Sequence, residues 1–113
     1  MTPDLVIYHG PECYDGFTAA WLIHGVHPDA EYLPANYGRT APPDCTGRRV
    51  IVVDFSWPRE DMERMASQAA EFVVLDHHKT AEEALRGLPF AHFDMDKSGC
   101  KLAYEWLYKG SWV

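Results

Sequence analysis

Short apolar runs and helical stripes alternate along the chain. Residues 5–8 form a compact apolar run with β-branched content, closed by His9-Gly10-Pro11, and predict a buried strand. Asp15-Gly16 then opens a helical segment in which Phe17, Ala20, Trp21 and Ile23/His24 recur at helical spacing. Asp15 is its N-cap candidate, and His27-Pro28 closes it. Residues 31–33 predict a second strand, and residues 36–47, rich in Pro, Gly, Thr and Asp, predict a loop. Residues 49–55 hold Val50, Ile51, Val52 and Val53 in sequence, the pattern of a parallel strand buried on both faces. A helix follows to about Ala70, with Ser56 as cap, Pro58 in the first turn, and Glu60 and Asp61 complementing the dipole. Residues 72–75 predict another buried strand that runs directly into Asp76-His77-His78. Thr80 caps a short helix over residues 81–86, residues 90–93 predict a last strand, and Ser98 starts a helix with an apolar stripe of Leu102, Ala103, Trp106 and Leu107.

This alternation implies an α/β fold, a three-layer Rossmann-like domain with a mostly parallel sheet. With 113 residues the expectation is a single domain spanning 1–113. The composition, 47% hydrophobic and 24% charged, is that of an ordinary globular protein. A net charge of −7 argues against non-specific binding of duplex nucleic acid but leaves small anionic substrates open, because bound cations can invert the local field. Cys13, Cys45 and Cys100 form no C-x-x-C pair and no disulfide framework, which points to a reducing, cytoplasmic setting. The first residues do not read as a signal peptide, and no apolar stretch approaches membrane-span length.

The chemistry concentrates at strand ends. One strand is followed by His9 and Asp15, one by Asp54, and one by Asp76-His77-His78. Ligand sites of open α/β sheets lie outside the carboxyl ends of the strands, so three segments deliver carboxylate and imidazole to one edge. That donor set suits Mn, Fe, Zn or Mg. Taken singly, Asp54 reads as a cap or turn former, His9 as a surface or capping residue, and Asp15 as a helix cap. Taken together they read as a metal or catalytic site. Asp94 and Asp96 could be ligands or caps of the helix at Ser98. His24, His27 and His92 read as structural or exposed, Cys45 has no role, and Trp21, Trp106, Tyr104 and Tyr108 read as core or interface.

The segments YHGPECYDGFTAAW, VDFSWP, LDHHKTA and FDMDKSGCKLAYEWL carry a resemblance to the DHH phosphoesterase superfamily, and to its bacterial and phage subgroup in particular. Members include exonucleases, nano-RNases, cyclic-dinucleotide phosphodiesterases and pyrophosphatases. The resemblance implies a hydrolase that cuts phosphate esters of short single-stranded oligonucleotides or of cyclic and small nucleotides by metal-activated water. It implies two divalent cations, Mn first, with Mg, Fe, Co or Zn as alternatives. By motif, His9 would bind the first metal, Asp15 and His77 the second, and Asp54 both. Asp76 would orient the site and His78 would contact the scissile phosphate, making these two the catalytic pair. Lys79, Ser98 and Gly99 would hold phosphate oxygens. Cys13 stands where many members have aspartate, so it is a further metal candidate. The family's fourth-motif aspartate and its C-terminal substrate-binding domain have no counterpart here, and Asp94 is the candidate replacement. A homodimer could cover the open site. The competing reading is a weakly active or inactive relative that binds metal and nucleotide.

Overall fold

The computed structural model describes residues 1–109. Its elements are β1 (Leu5–His9), α1 (Tyr14–Val26), β2 (Glu31–Ala35), β3 (Arg49–Val53), α2 (Arg59–Gln68), β4 (Glu71–Asp76), α3 (Lys79–Ala84), β5 (Ala91–Phe93) and α4 (Gly99–Lys109). The five strands form one sheet in the order β2-β1-β3-β4-β5, and each neighbouring pair is parallel. The fold is α/β, three-layered and Rossmann-like, as the alternation predicts.

Strand periodicity explains the layers. Leu5 and Ile7 of β1, with Val50 and Val52 of β3, point to one face, where Met62 and Met65 of α2 and Leu85 beyond α3 pack on them. Val6, Ile51 and Val53 point to the other, against Ala19 and Ile23 of α1 and Leu102 and Ala103 of α4. All four central β3 residues, Val50 to Val53, are fully buried, so this strand has no solvent side. Trp106 and Leu107 join the α4 stripe as expected. The long β2–β3 connection fills part of the first face where a helix would otherwise lie. Cys45, which sequence reasoning left in a polar loop, is a core residue there, and Trp57 donates its indole N–H to the Thr40 carbonyl at 2.8 Å.

Several local expectations are corrected. The buried face of α1 is Gly16, Ala19, Ala20 and Ile23, while Phe17 and Trp21 face outward, Trp21 being 64% exposed. Small residues win this face because α1 lies so close to β1. A Cβ on Gly16 would stand 2.0 Å from the His9 carbonyl oxygen. Tyr104 and Tyr108, read as core or interface, are exposed and so do not belong to the core. The N-cap of α1 is Cys13, not Asp15; its sulfur accepts the Gly16 N–H at 3.5 Å. Helix α2 begins after Pro58, without a side-chain cap from Ser56, and ends at Gln68. The residue at the N-cap of α3 is His78, so Thr80 lies inside the helix.

The register sets the site. Tyr8 of β1 is level with Val53 of β3, and Val53 with Leu75 of β4. The next residues, His9 and Asp76 at the ends of β1 and β4 and Asp54 just beyond β3, therefore stand at one height on three adjacent strands. Between β1 and β3 the chain reverses its direction of travel across the sheet, the position at which open α/β sheets form a crevice.

Candidate metal centre

Asp54 is the hub. Its backbone sits at φ +61°, the left-handed region that Asp tolerates better than most residues, at a cost of about 1 kcal/mol or more. Its amide still donates to the Leu75 carbonyl at 2.9 Å, so the turn stays stitched to β4 while the carboxylate swings over the strand ends. The side chain is 2% exposed. Its two oxygens face different neighbours. Oδ1 lies 2.7 Å from His77 Nε2. Oδ2 accepts the Cys13 thiol at 3.3 Å and lies 3.8 Å from His9 Nδ1. Burial raises the Asp54 carboxyl above the ordinary carboxylate range, and the negative charge of Asp15 adds to this; hydrogen bonds from His77 and Cys13 oppose it.

Two groups of donor atoms result, each with its members within 4.8 Å of one another. One is His9, Cys13 and Asp54; the other is Asp54, Asp76, His77 and His78. Asp54 belongs to both. His9 Nδ1 and Asp76 Oδ2 are buried without a hydrogen-bond partner, an arrangement that is costly unless something binds there. Cys13 keeps its proton more tightly than an ordinary thiol, chiefly through burial, so a cation taking this sulfur would have to displace that proton.

Asp15 reaches the same place from α1. Its Oδ2 lies 3.2 Å from His77 Nε2 and accepts the Gly99 amide at 2.8 Å, while Oδ1 accepts the Cys100 amide at 2.8 Å. Asp15 thus caps α4 rather than its own helix, where the positive end of the dipole suits a carboxylate. Gly99 is needed for this approach: a Cβ there would lie 2.8 Å from Asp54 Cβ and 3.1 Å from Asp15 Oδ2. Asp76 accepts both the His77 amide at 2.8 Å and His78 Nδ1 at 2.7 Å through Oδ1, which fixes the two histidines side by side.

His9, Asp15, Asp54, Asp76, His77 and His78 are therefore brought together, as the strand-end pattern predicts, and Cys13 joins them. Other candidates are not. Asp94 is turned to its own loop, accepting the Asp96 amide at 3.0 Å and pairing with Lys97 at 3.5 Å, and it belongs to neither donor group. The Gly99 amide serves Asp15, and Ser98 Oγ accepts the Lys101 amide at 3.1 Å, so this helix start holds the chain's own groups where phosphate oxygens were expected. Lys79 opens α3 as an exposed residue next to His78. Sequence reasoning missed Tyr37. Its ring stacks on Phe55 with centroids 4.4 Å apart and meets His9 and His78 edge-on at 5.3 and 6.4 Å. Burial, then the charges of Asp76 and Asp54, raise its phenol far above the ordinary value, so it stays protonated. The available signal was only that an aromatic residue follows the carboxyl end of β2.

Set beside known proteins, the chain matches no protein-family model. It is 30% identical over 123 aligned residues to "Uncharacterized protein R106" of Acanthamoeba polyphaga mimivirus, an alignment spanning 93% of this chain and 29% of the viral protein. A crystal structure of an uncharacterized protein from Helicobacter pylori G27 superposes with a TM-score of 0.78 at 18% identity, covering 93% of this chain and 36% of that one. The chain thus spans only about a third of either relative's length, and the second likeness establishes the three-layer Rossmann-like α/β fold.

Proposed function

We propose that this chain carries the centre of a DHH-type, divalent-metal-dependent phosphoesterase acting on short single-stranded oligonucleotides or on cyclic and small nucleotides. The observation that carries the reading is the division of Asp54, with Oδ1 toward His77 and Oδ2 toward Cys13 and His9. One carboxylate shared between two donor sets is what a bridging ligand requires. His9 and Cys13 would hold one cation, Asp15 and His77 the other, and Asp54 both, with Mn²⁺ first and Mg²⁺, Fe, Co or Zn as alternatives. When bound, such a pair would supply Lewis acidity toward a water and positive charge to shield the phosphate.

The protein's own groups do the positioning. Asp76, buried and fixed at the end of β4, holds His78 at Nδ1 and leaves Nε2 for a phosphate oxygen. The Tyr37 phenol is a neutral donor beside the same histidine. A second reading, a relative that binds metal and nucleotide without efficient turnover, draws on Asp15: both its oxygens already serve α4, and Asp94 brings no further carboxylate.

The test is Mn²⁺-dependent hydrolysis of bis-p-nitrophenyl phosphate and a dinucleotide, with metal counted on the same sample. Turnover with close to two metals per chain is expected. Asp54→Asn should abolish both metal binding and turnover, whereas His78→Ala should lose turnover and keep metal. Metal binding without turnover in the unaltered chain would favour the second reading, and full activity in Asp54→Asn would refute the bridging role.

A further inference from the structure

A pocket of about 410 Å³ adjoins the site on the α2–α3 side, lined by Tyr37, Ser56, Trp57, His78, Thr80 and Ala81, among others. His78 belongs both to this pocket and to the donor group around Asp54, so the two spaces meet at one imidazole. The wall is aromatic and interlocked. Tyr37 stacks on Phe55, Phe55 meets Trp57 edge-to-face at 4.8 Å, and the Trp57 N–H is committed to Thr40. Tyr37 is half exposed, which leaves ring surface open for contact. Among the described residues no Asp, Glu, Lys or Arg side chain lines the pocket, and its polar groups include the hydroxyls of Tyr37, Ser56 and Thr80 and the imidazole of His78.

From this we infer that the pocket receives the nucleobase of the substrate while the attached phosphate lies at His78. The inference rests on the phosphoesterase reading and names what the substrate carries beyond its phosphate. A second phosphate group would be poorly served, since no cation lines the space. A charged peptide side chain would lose its solvation with no counter-charge in return. A flat, uncharged ring with polar edges matches both the aromatic wall and the hydroxyls of the lining. The volume falls in the range of small-molecule sites and accommodates a base with its sugar.

The experiment compares adenosine 5′-monophosphate with ribose 5-phosphate, which lacks the base, by calorimetric titration of the full chain in Mg²⁺, with the Trp57 indole N–H followed by NMR. The monophosphate should bind at least about tenfold more tightly and shift the indole resonance. Ala84→Phe, on the exposed side of α3, and independently Ala81→Phe should fill the space and bring the affinity ratio below about threefold. Equal affinities in the unaltered chain, binding of neither compound, or a preference that survives both substitutions would overturn the inference. Hydrolysis of bis-p-nitrophenyl phosphate on the same preparation separates the two readings. A base preference without hydrolysis would remove the phosphoesterase assignment alone, and hydrolysis without a base preference would remove the base pocket alone.

Discussion

Two glycines of α1 should respond oppositely to the same substitution. Gly25 has nothing within 4 Å of the place a Cβ would occupy. Gly25→Ala should therefore return the ordinary helix benefit of about 0.5–1 kcal/mol. At Gly16 the added carbon would stand 2.0 Å from the His9 carbonyl oxygen and 2.8 Å from its carbon, where real contacts do not fall below 3.0 Å. Both clashing atoms are backbone, so no rotamer relieves them. Helix α1 must back away from β1 by about 1 Å. A gap of that size forfeits a quarter to a half of each contact made by Ala19, Ala20 and Ile23 against the sheet. Overpacking of this kind costs about 3 kcal/mol, against a helix gain below about 1 kcal/mol. The net loss of about 2 kcal/mol or more corresponds to a fall in Tm of about 8 °C or more, with a rise of about 2–4 °C for Gly25→Ala. Thermal denaturation by circular dichroism reads both. The same displacement carries Cys13 and Asp15 away from Asp54 and His77, so Gly16→Ala should also weaken Mn²⁺ binding. A Gly16→Ala protein as stable as the original, with unchanged Mn²⁺ affinity, would refute the close approach of α1 to β1.

Other expectations follow from the charges. Cys13→Asp places a harder donor beside His9 and Asp54, so the Mn²⁺-induced rise in Tm should exceed that of the original chain while the metal-free protein loses a few degrees to carboxylate crowding; a smaller Mn²⁺ effect would separate Cys13 from the metal. Asp4 accepts the Arg49 amide at 2.8 Å and its guanidinium at 3.0 Å, which lowers its carboxyl to about 2. A depressed carboxyl contributes stability above its unfolded value near 3.8 and loses it as pH falls through about 2. Asp4→Asn should therefore flatten the dependence of Tm on pH between about 4 and 2, and an unchanged profile would remove Asp4 from the acid response.

What could be read in the sequence was whatever the chain states locally. Four consecutive β-branched residues in β3 announce burial on both faces, and Asp76-His77-His78 at the end of β4 marks where polar side chains gather, because neither depends on what packs from elsewhere. Parallel strands in an α/β alternation also fix which ends share an edge, and that carried His9, Asp54 and His77 to one place. What failed was decided by distant partners. Trp21 has the right spacing for a core stripe, but the closeness set by Gly16 lets only small residues face the sheet. Asp15 has the right position to cap α1, but amides 84 and 85 positions later compete for it more effectively. Tyr37 lies in a loop whose path is set by packing over the sheet, and no local pattern marks where its ring will land.

The placement of Asp15 has a consequence for assembly. Every ligand candidate in the centre lies between residues 9 and 78, yet the carboxylate opposite His77 accepts two amides from the start of α4. During synthesis the sheet edge can form with its histidines in place while Asp15 remains unanchored. The site as described is then complete only once α4 has docked, and any cation that needs Asp15 would bind only after that docking.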